Sequence, residues 1–592
     1  MEQQKPKRIP YGKQNWEDVR LSNFYYVDKT RFIPEIEAAN EYFFFIRPRR
    51  FGKSLLMSML CHYYDIRKAP LFERLFGDLW IGQHPTEEHN TYLVLYLNFS
   101  AFSGDLEGYK ERMDGYCNTH YEGFIRDYAD LLPDNAVELL RQKEGAANQL
   151  DVLVRLCNEA GQKMYLFIDE YDHFTNIILS DPGTEKDYKA ETHGTGAYRG
   201  FFNAIKAGAV TAIKRLFITG VSPVTMDDLT SGFNIGTNYT MEPAFNTMVG
   251  FTEEEVRAML DYYRQFHPFR HTTDELIEIM KPWYDNYCFS VRCIDEPPMY
   301  NSDMVLYFID NYIRSKGELP EDMLDNNIRT DYNKLRMLIR KDKAFKNDAT
   351  IIQRIVETGT ITSELKRSFP SEGITDPDNF VSLLYYFGLL TIAGRGGLAG
   401  IKFRIPNQVV REQMYGYLTT AYRENDLSIE EQTHRQLMVN MALYGDWRPF
   451  FEQISATLKR FAAQRDKAKG EAFVHGFTLS QTCMTKLYLP ISELDAGVRD
   501  RTGKGSGGYA DIYMQPMLGI YPDIEHSYVL ELKYLPSKAT DAEVAAAREK
   551  AIGQITRYAE SVGVERTIGH TCLHRLIILW RGMDIAVAEE LQ

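Results

Sequence analysis

At 592 residues, 44% hydrophobic and 13% aromatic, the chain has room for about three to four domains and enough apolar side chains to bury real cores, which excludes an intrinsically disordered protein. The formal net charge of −14 excludes a protein coated in basic surface for bulk nucleic-acid binding; charges from Met441 onward nearly cancel, so the acidity lies in the N-terminal three quarters and a local DNA groove in the last domain stays open. Met1 to Arg8 lacks the apolar core of a signal peptide, no run approaches the ~18 apolar residues that cross a bilayer, and the seven scattered cysteines read as reduced, mostly buried thiols, so a cytoplasmic protein with no membrane partner is expected.

The apolar run Tyr42-Phe43-Phe44-Phe45-Ile46 is followed by Arg47-Pro48-Arg49-Arg50-Phe51-Gly52-Lys53-Ser54 and then by the helix-like Leu55 to Leu60. Strand, phosphate loop and helix is the reading. Arg50, Gly52, Lys53 and Ser54 then form a nucleotide-binding loop: the helix N-terminus offers backbone N–H groups to an anion, Lys53 reaches the β/γ-phosphates from an exposed loop, and the Ser54 hydroxyl ligands Mg²⁺. Arg47 stands where the general G-x-x-x-x-G-K-[ST] pattern has its first glycine, and a surface turn with a chance Gly-Lys-Ser is the competing account.

Tyr92 to Asn98 reads as an intervening strand. Met164-Tyr165-Leu166-Phe167-Ile168-Asp169-Glu170 reads as a strand ending in two acids, Asp169 to hold water around Mg²⁺ and Glu170 to orient or deprotonate the attacking water. Either segment alone could be an ordinary loop or buried strand; together, in this order, they predict an ATP site. A fourth strand, Arg215 to Ser222, places Thr219, and less strongly Ser222, where a γ-phosphate sensor would sit, although hydroxyls at strand ends also serve as turn formers.

With Tyr26-Val27-Asp28-Lys29-Thr30, Ile168-Asp169-Glu170-Tyr171-Asp172, Thr219-Gly220-Val221-Ser222 and Gly250-Phe251-Thr252-Glu253-Glu254-Glu255-Val256, the first half of the chain resembles the bacterial AAA-ATPase-like family, whose usual loop carries the arginine found at Arg47. The resemblance implies a P-loop ATPase fold with ATP and Mg²⁺ as cofactors. It says little about a substrate. Arg47, Arg49, Arg50 and Arg199 are candidates for an arginine finger that the sequence does not assign.

Further along, Gly250 to Phe269 and Asp274 to Asn286 have the spacing of lid helices. Trp283 to Phe289 sets an acid and an amide among aromatic rings and reads as a packing cluster rather than a functional box. Cys288 and Cys293 are close, but a C-x₄-C pair without a second pair or a histidine does not make a zinc site. Asn379 to Phe387 as a helix, then Leu389 to Ala393, a Gly394-Arg395-Gly396-Gly397 turn and Ile401 to Ile405, resembles a winged helix. Arg395, Lys402 and Arg404 could touch DNA there, or the module could pack and relay.

In the last part, Asp511 is followed some twenty positions later by Ser527-Tyr528-Val529-Leu530-Glu531-Leu532-Lys533-Tyr534, whose alternation puts Glu531 and Lys533 on one face. Asp511 and Glu531 would hold a hard metal ion, and Lys533 would position the nucleophilic water or stabilise the pentavalent phosphate. Gln554 and Tyr558 lie at i and i+4 on the helix that follows. The set from about Lys467 to Trp580 resembles the PD-(D/E)XK nuclease superfamily, which implies catalytic roles for Asp511, Glu531, Lys533, Gln554 and Tyr558 and an accessory metal ligand in Glu471. His475 reads as a packed helix histidine. An inactive domain in which Glu531 and Lys533 merely pair is the alternative.

The expected fold class is therefore α/β: a P-loop ATPase core with a parallel sheet over 1–247, a helical lid over 248–330, a helical and winged-helix-like region over 331–440, and a restriction-endonuclease-like α/β domain over 441–592. Two functions follow. One is an ATP-regulated, Mg²⁺-dependent nuclease acting on DNA through its C-terminal domain; the other is a nucleotide-switched regulator that grips nucleic acid or protein without cutting. Oligomeric state is left unassigned.

Overall fold

The computed structural model describes residues 5–101, 108–173, 196–224, 235–320, 322–325, 351–370, 373–374, 376–397, 400–423, 427–464, 471–482, 484, 486–492, 512–559, 564 and 567–591. The chain forms two compact units, one from residues 1–318, 322–344 and 362–406, the other from 319–321, 345–361 and 407–592.

The first unit is built on five parallel strands: β1 (Tyr42–Ile46), β2 (Leu93–Asn98), β3 (Met164–Asp169), β4 (Ile213–Gly220) and β5 (Thr237–Asn238), in the order β2-β3-β4-β1-β5. β3 is buried at every position, as its unbroken apolar run requires of a parallel strand covered on both faces. Aromatic rings fill the core: Tyr165 stacks on Phe167 at 4.2 Å, and Phe43 on Phe217 at 5.0 Å. From β1 the chain goes to β2 on one side of the sheet, and from β4 to β5 on the other. Connections therefore diverge at the carboxyl edge between β1 and β4, the position at which open α/β sheets bind their ligands.

Helix α1 (Lys53–Tyr64) follows β1. The expected lid helices are α2 (Glu253–Arg264) and α3 (Thr273–Tyr284), each started by a capping box, Thr252 with Glu255 and Thr272 with Glu275. α4 (Ser302–Arg314) is capped by Asn301. The winged-helix-like module is present as α5 (Pro377–Tyr386), capped by Asp376, and an antiparallel hairpin of β7 (Thr391–Gly396) and β8 (Gly400–Arg404); β6 (Thr360–Ser363) completes a sheet of order β6-β8-β7. Arg395 is exposed there, while Lys402 and Arg404 are half-buried.

The second unit holds α6 (Glu431–Tyr444), α7 (Arg448–Gln464) and α8 (Glu471–Thr482), with a mixed sheet of order β13-β12-β11-β10-β9. The strands are β9 (Tyr488–Ser492), β10 (Ile512–Pro516), β11 (His526–Leu535), β12 (Cys572–Arg581) and β13 (Asp584–Leu591), of which only the central pair β11 and β12 runs parallel. Helix α9 (Asp541–Ala559) covers one face, burying Ala551 and Ile555 against Tyr513, Val529 and Ile577. The other face meets α6 and the turn after it, where the Tyr528 hydroxyl donates to the Met441 carbonyl at 2.6 Å and Trp447 Nε1 donates to Glu590 at 3.2 Å. Among the described residues no helix is long and apolar enough to cross a membrane.

Candidate nucleotide and metal sites

At the end of β1 the chain must turn sharply into α1. Gly52 makes that turn with φ +92°, a left-handed conformation that a side chain would strain. Lys53 is only 5% exposed, which corrects the expectation of an exposed lysine: its ammonium folds back to donate to the Pro48 carbonyl at 3.0 Å. Burial holds Lys53 below its usual value, against the opposing pull of Glu170, Asp169 and Asp172. Ser54, beside it, is close enough to Asp169 to favour the charged form of that carboxyl.

The arginines of the loop are tied into the protein. Arg47 is buried, donating to the carbonyls of Ile46, Thr240 and Phe245, with its guanidinium 4.3 Å from the ring centres of both Phe45 and Phe289. Desolvation pushes it down to about 10. Its place in the loop is thus a staple between β1, the segment after β5 and the aromatic cluster Trp283 to Phe289, and it is no candidate for an arginine finger. Phe51 packs edge-on against Tyr287 and Phe289, so that cluster is a packing element, as expected. Arg50 lines the cavity at φ +67° with its guanidinium 2.8 Å from Asp303 of α4. The carbonyls of Arg49, Arg50 and Phe51 accept hydrogen bonds from Asn301, from Ser302 and Asp303, and from Gly250 respectively, which fastens the loop to the lid region.

β3 delivers the acids. Asp169 is fully buried, accepting from the Tyr96 hydroxyl at 3.2 Å and from the Glu170 amide at 2.9 Å; burial and then Glu170 raise its carboxyl above the ordinary range. Glu170 follows at φ +52°, a conformation costly for a non-glycine residue and one that concentrates at functional sites. Buried Asp172 accepts from the amides of Val221 and Ser222 at 3.1 and 2.6 Å, clamping the exit of β4; burial and Glu170 push it up to about 6. A Cβ on Gly220 would fall 2.3 Å from Asp172 Oδ1 and 2.6 Å from the Tyr171 ring. Gly220→Ala should therefore cost about 1–3 kcal/mol, read as a lowered midpoint in urea unfolding.

These residues meet at one cavity of about 550 Å³, the size of a small-molecule site. Its walls carry Arg50, Gly52, Lys53, Ser54 and Glu170, with Asn98 at the end of β2 and Ser100 just beyond it. Val27, Met248, Val249, Met259 and Leu306 add apolar side chains to the lining. Thr219, expected as a phosphate sensor, is not among the lining residues: its hydroxyl donates to the Phe45 carbonyl at 2.6 Å and holds β4 to β1. Sequence reasoning missed Lys29, whose ammonium lies 2.7 Å from both carboxylate oxygens of Glu255 and 3.0 Å from the Thr247 carbonyl, joining the segment before β1 to the start of α2 at the cavity wall. Both lie in motifs already singled out, which was the available signal.

The donor set fits a divalent cation. Asp169 and the Ser54 hydroxyl are adjacent, and three carboxyl groups, two of them buried, share the positive charge of one buried lysine. Ser54 and Asp169 would hold Mg²⁺.

In the second unit, Glu531 lies mid-β11, fully buried, and Lys533 pairs with it on the same face at 15% exposure. Val529 shares that parity and packs under α9, so the pair lies on the α9 face. Gln554 is on α9, its Oε1 buried with no hydrogen-bond partner among the described residues. Asp511 and the side chains of Glu471, His475 and Tyr558 lie outside the described residues.

Residues 10–230 match the family described as Predicted AAA-ATPase, and residues 469–590 match the PD-(D/E)XK nuclease superfamily, so the chain joins one region of each. It is 25% identical over 448 residues to the "Uncharacterized protein in vnfD 5'region" of Azotobacter chroococcum mcd 1, over 72% of this chain and 73% of that one. Among solved structures, the Aeropyrum pernix ORC2 protein aligns over 67% of this chain and 93% of its own, at 10% identity and a TM-score of 0.32.

Proposed function

We propose that the protein binds and hydrolyses ATP in the first unit and cleaves DNA with Mg²⁺ in the second, with the four-part division read from the sequence as its layout. The observation that carries the first half is that Gly52, Lys53, Ser54 and Glu170, the last three of which act on the buried Asp169 carboxyl, line one cavity together with apolar side chains that could receive a base. On this reading Lys53 leaves the Pro48 carbonyl for the phosphates, Ser54 and Asp169 hold Mg²⁺, and Glu170 takes a proton from the attacking water. Magnesium, when bound, neutralises charge on the phosphate oxygens. Glu170→Gln should keep nucleotide affinity within about threefold and lose hydrolysis by ~10²-fold or more, because the amide keeps the shape but accepts no proton. Unchanged phosphate release would remove Glu170 as the base.

In the second unit, Glu531 with Asp511 would hold a hard cation, while Lys533 would serve the phosphate and the Gln554 Oε1, which has no hydrogen-bond partner among the described residues, would accept from the water or a neighbouring donor. The Glu531–Lys533 pair also favours a second reading, a binding domain whose acid is neutralised by its own lysine and needs no metal. Cleavage assays on linear and circular DNA with Mg²⁺ or Mn²⁺, with and without ATP, separate the two.

A further inference from the structure

In the parallel register of β11 and β12, His526 faces Cys572 and Tyr528 faces His574. Alternation places all four side chains on one face, and Glu590 of β13, opposite Leu576, shares it. This is the face away from α9 and from Glu531, and His526 lies five residues from Glu531 along β11, about 17 Å at the usual rise. The ligand-capable atoms of His526, Cys572 and His574 all lie within 4.8 Å of one another.

Hydrogen bonding sets the protonation of the cluster. His574 Nδ1 is 2.8 Å from Glu590 Oε1, and a carboxylate only accepts, so Nδ1 carries the proton and Nε2 presents a lone pair. That Nε2 lies 2.8 Å from His526 Nδ1, which must donate to it in the metal-free state. Moving the His526 proton to its outer nitrogen aims two lone pairs at one point. A tetrahedral Zn²⁺ at Zn–N of about 2.0–2.1 Å needs the nitrogens roughly 3.3 Å apart, a small ring rotation from the present spacing. Glu590 behind His574 is the carboxylate–histidine arrangement that orients metal-bound imidazoles. Cys572 is exposed, and its thiolate would complete three protein ligands, leaving a fourth position for water.

We propose that His526, Cys572 and His574 form a site for Zn²⁺ or a similar borderline divalent ion, distinct from the Mg²⁺ positions of the proposed chemistry, that ties the starts of β11 and β12 together. The test is titration of chelator-treated full-length protein with Co²⁺ alone. The expected result is saturable equimolar binding with a thiolate-to-cobalt charge-transfer band and tetrahedral d–d bands, displaced by equimolar Zn²⁺. Cys572→Ser, at an exposed strand end, should remove the charge-transfer band; Glu590→Gln should weaken affinity about 10–100-fold while leaving the bands in place; Glu531→Gln should leave the spectrum unchanged. Absence of a thiolate band in wild type, or its survival in Cys572→Ser, would overturn the assignment.

Discussion

Lys53→Ala is expected to weaken ATP binding by about tenfold to a hundredfold, the worth of a charge-assisted hydrogen bond to phosphate. The structure changes what else the substitution does. Because Lys53 is buried and satisfies the Pro48 carbonyl, its removal leaves an acceptor without its donor, and a loss of about 1 kcal/mol of stability accompanies the lost affinity. Lys53→Met keeps most of the volume and the same charge deletion, so the two variants should lose nucleotide equally. Calorimetric titration with a non-hydrolysable ATP analogue reads the affinity, and urea unfolding the stability. Affinity equal to wild type in both variants would remove the loop from the nucleotide site.

Asp511→Asn and Lys533→Ala should fail in different ways. Asp511→Asn takes a charged ligand from a hard cation, so metal affinity and cleavage fall together. Lys533→Ala should spare the metal and slow the chemical step by ~10²-fold or more, through lost stabilisation of charge in the transition state. It also removes the ammonium paired with the fully buried Glu531, and breaking a buried pair costs about 3–5 kcal/mol. Added Mg²⁺ should restore much of that loss if Glu531 is a metal ligand. Thermal unfolding of Lys533→Ala with and without Mg²⁺ therefore reads metal binding at Glu531 independently of cleavage: a midpoint insensitive to Mg²⁺ supports the pair as a structural feature only. DNA binding should survive both substitutions.

What the sequence made legible was local. The phosphate loop and the acid-ended strand are contiguous segments whose strand, turn and helix are set by neighbouring residues, and β1, α1 and β3 lie where the pattern puts them. The helices of the two stretches were legible through their period; the capping box of the first lies inside its stretch, while that of the second begins at Thr272, two residues ahead of Asp274. The contacts that give those residues their roles are long-range. Arg47 finds two of its three carbonyl partners 193 and 198 positions away, and nothing near it in the chain tells a staple from a phosphate ligand. Thr219 sits at a strand end as a sensor would, but the in-register pairing of Phe45 with Thr219 puts a carbonyl within reach of its hydroxyl. Lys29 meets Glu255 across 226 positions. The histidine and cysteine cluster was invisible to a search for closely spaced ligands because its two histidines are 48 positions apart and are joined only by the register of two strands.

Incubation of the full-length protein with linear and circular DNA in Mg²⁺, with and without ATP, beside Asp511→Asn, bears most directly on the claim that an ATP site and a nuclease site work in one chain. Wild type is expected to cleave with Mg²⁺ at a rate that changes with ATP, and Asp511→Asn is expected not to cleave. Wild type that binds ATP and nucleic acid yet cuts neither DNA nor RNA with any divalent metal would contradict that claim and leave the nucleotide-switched binding protein in its place.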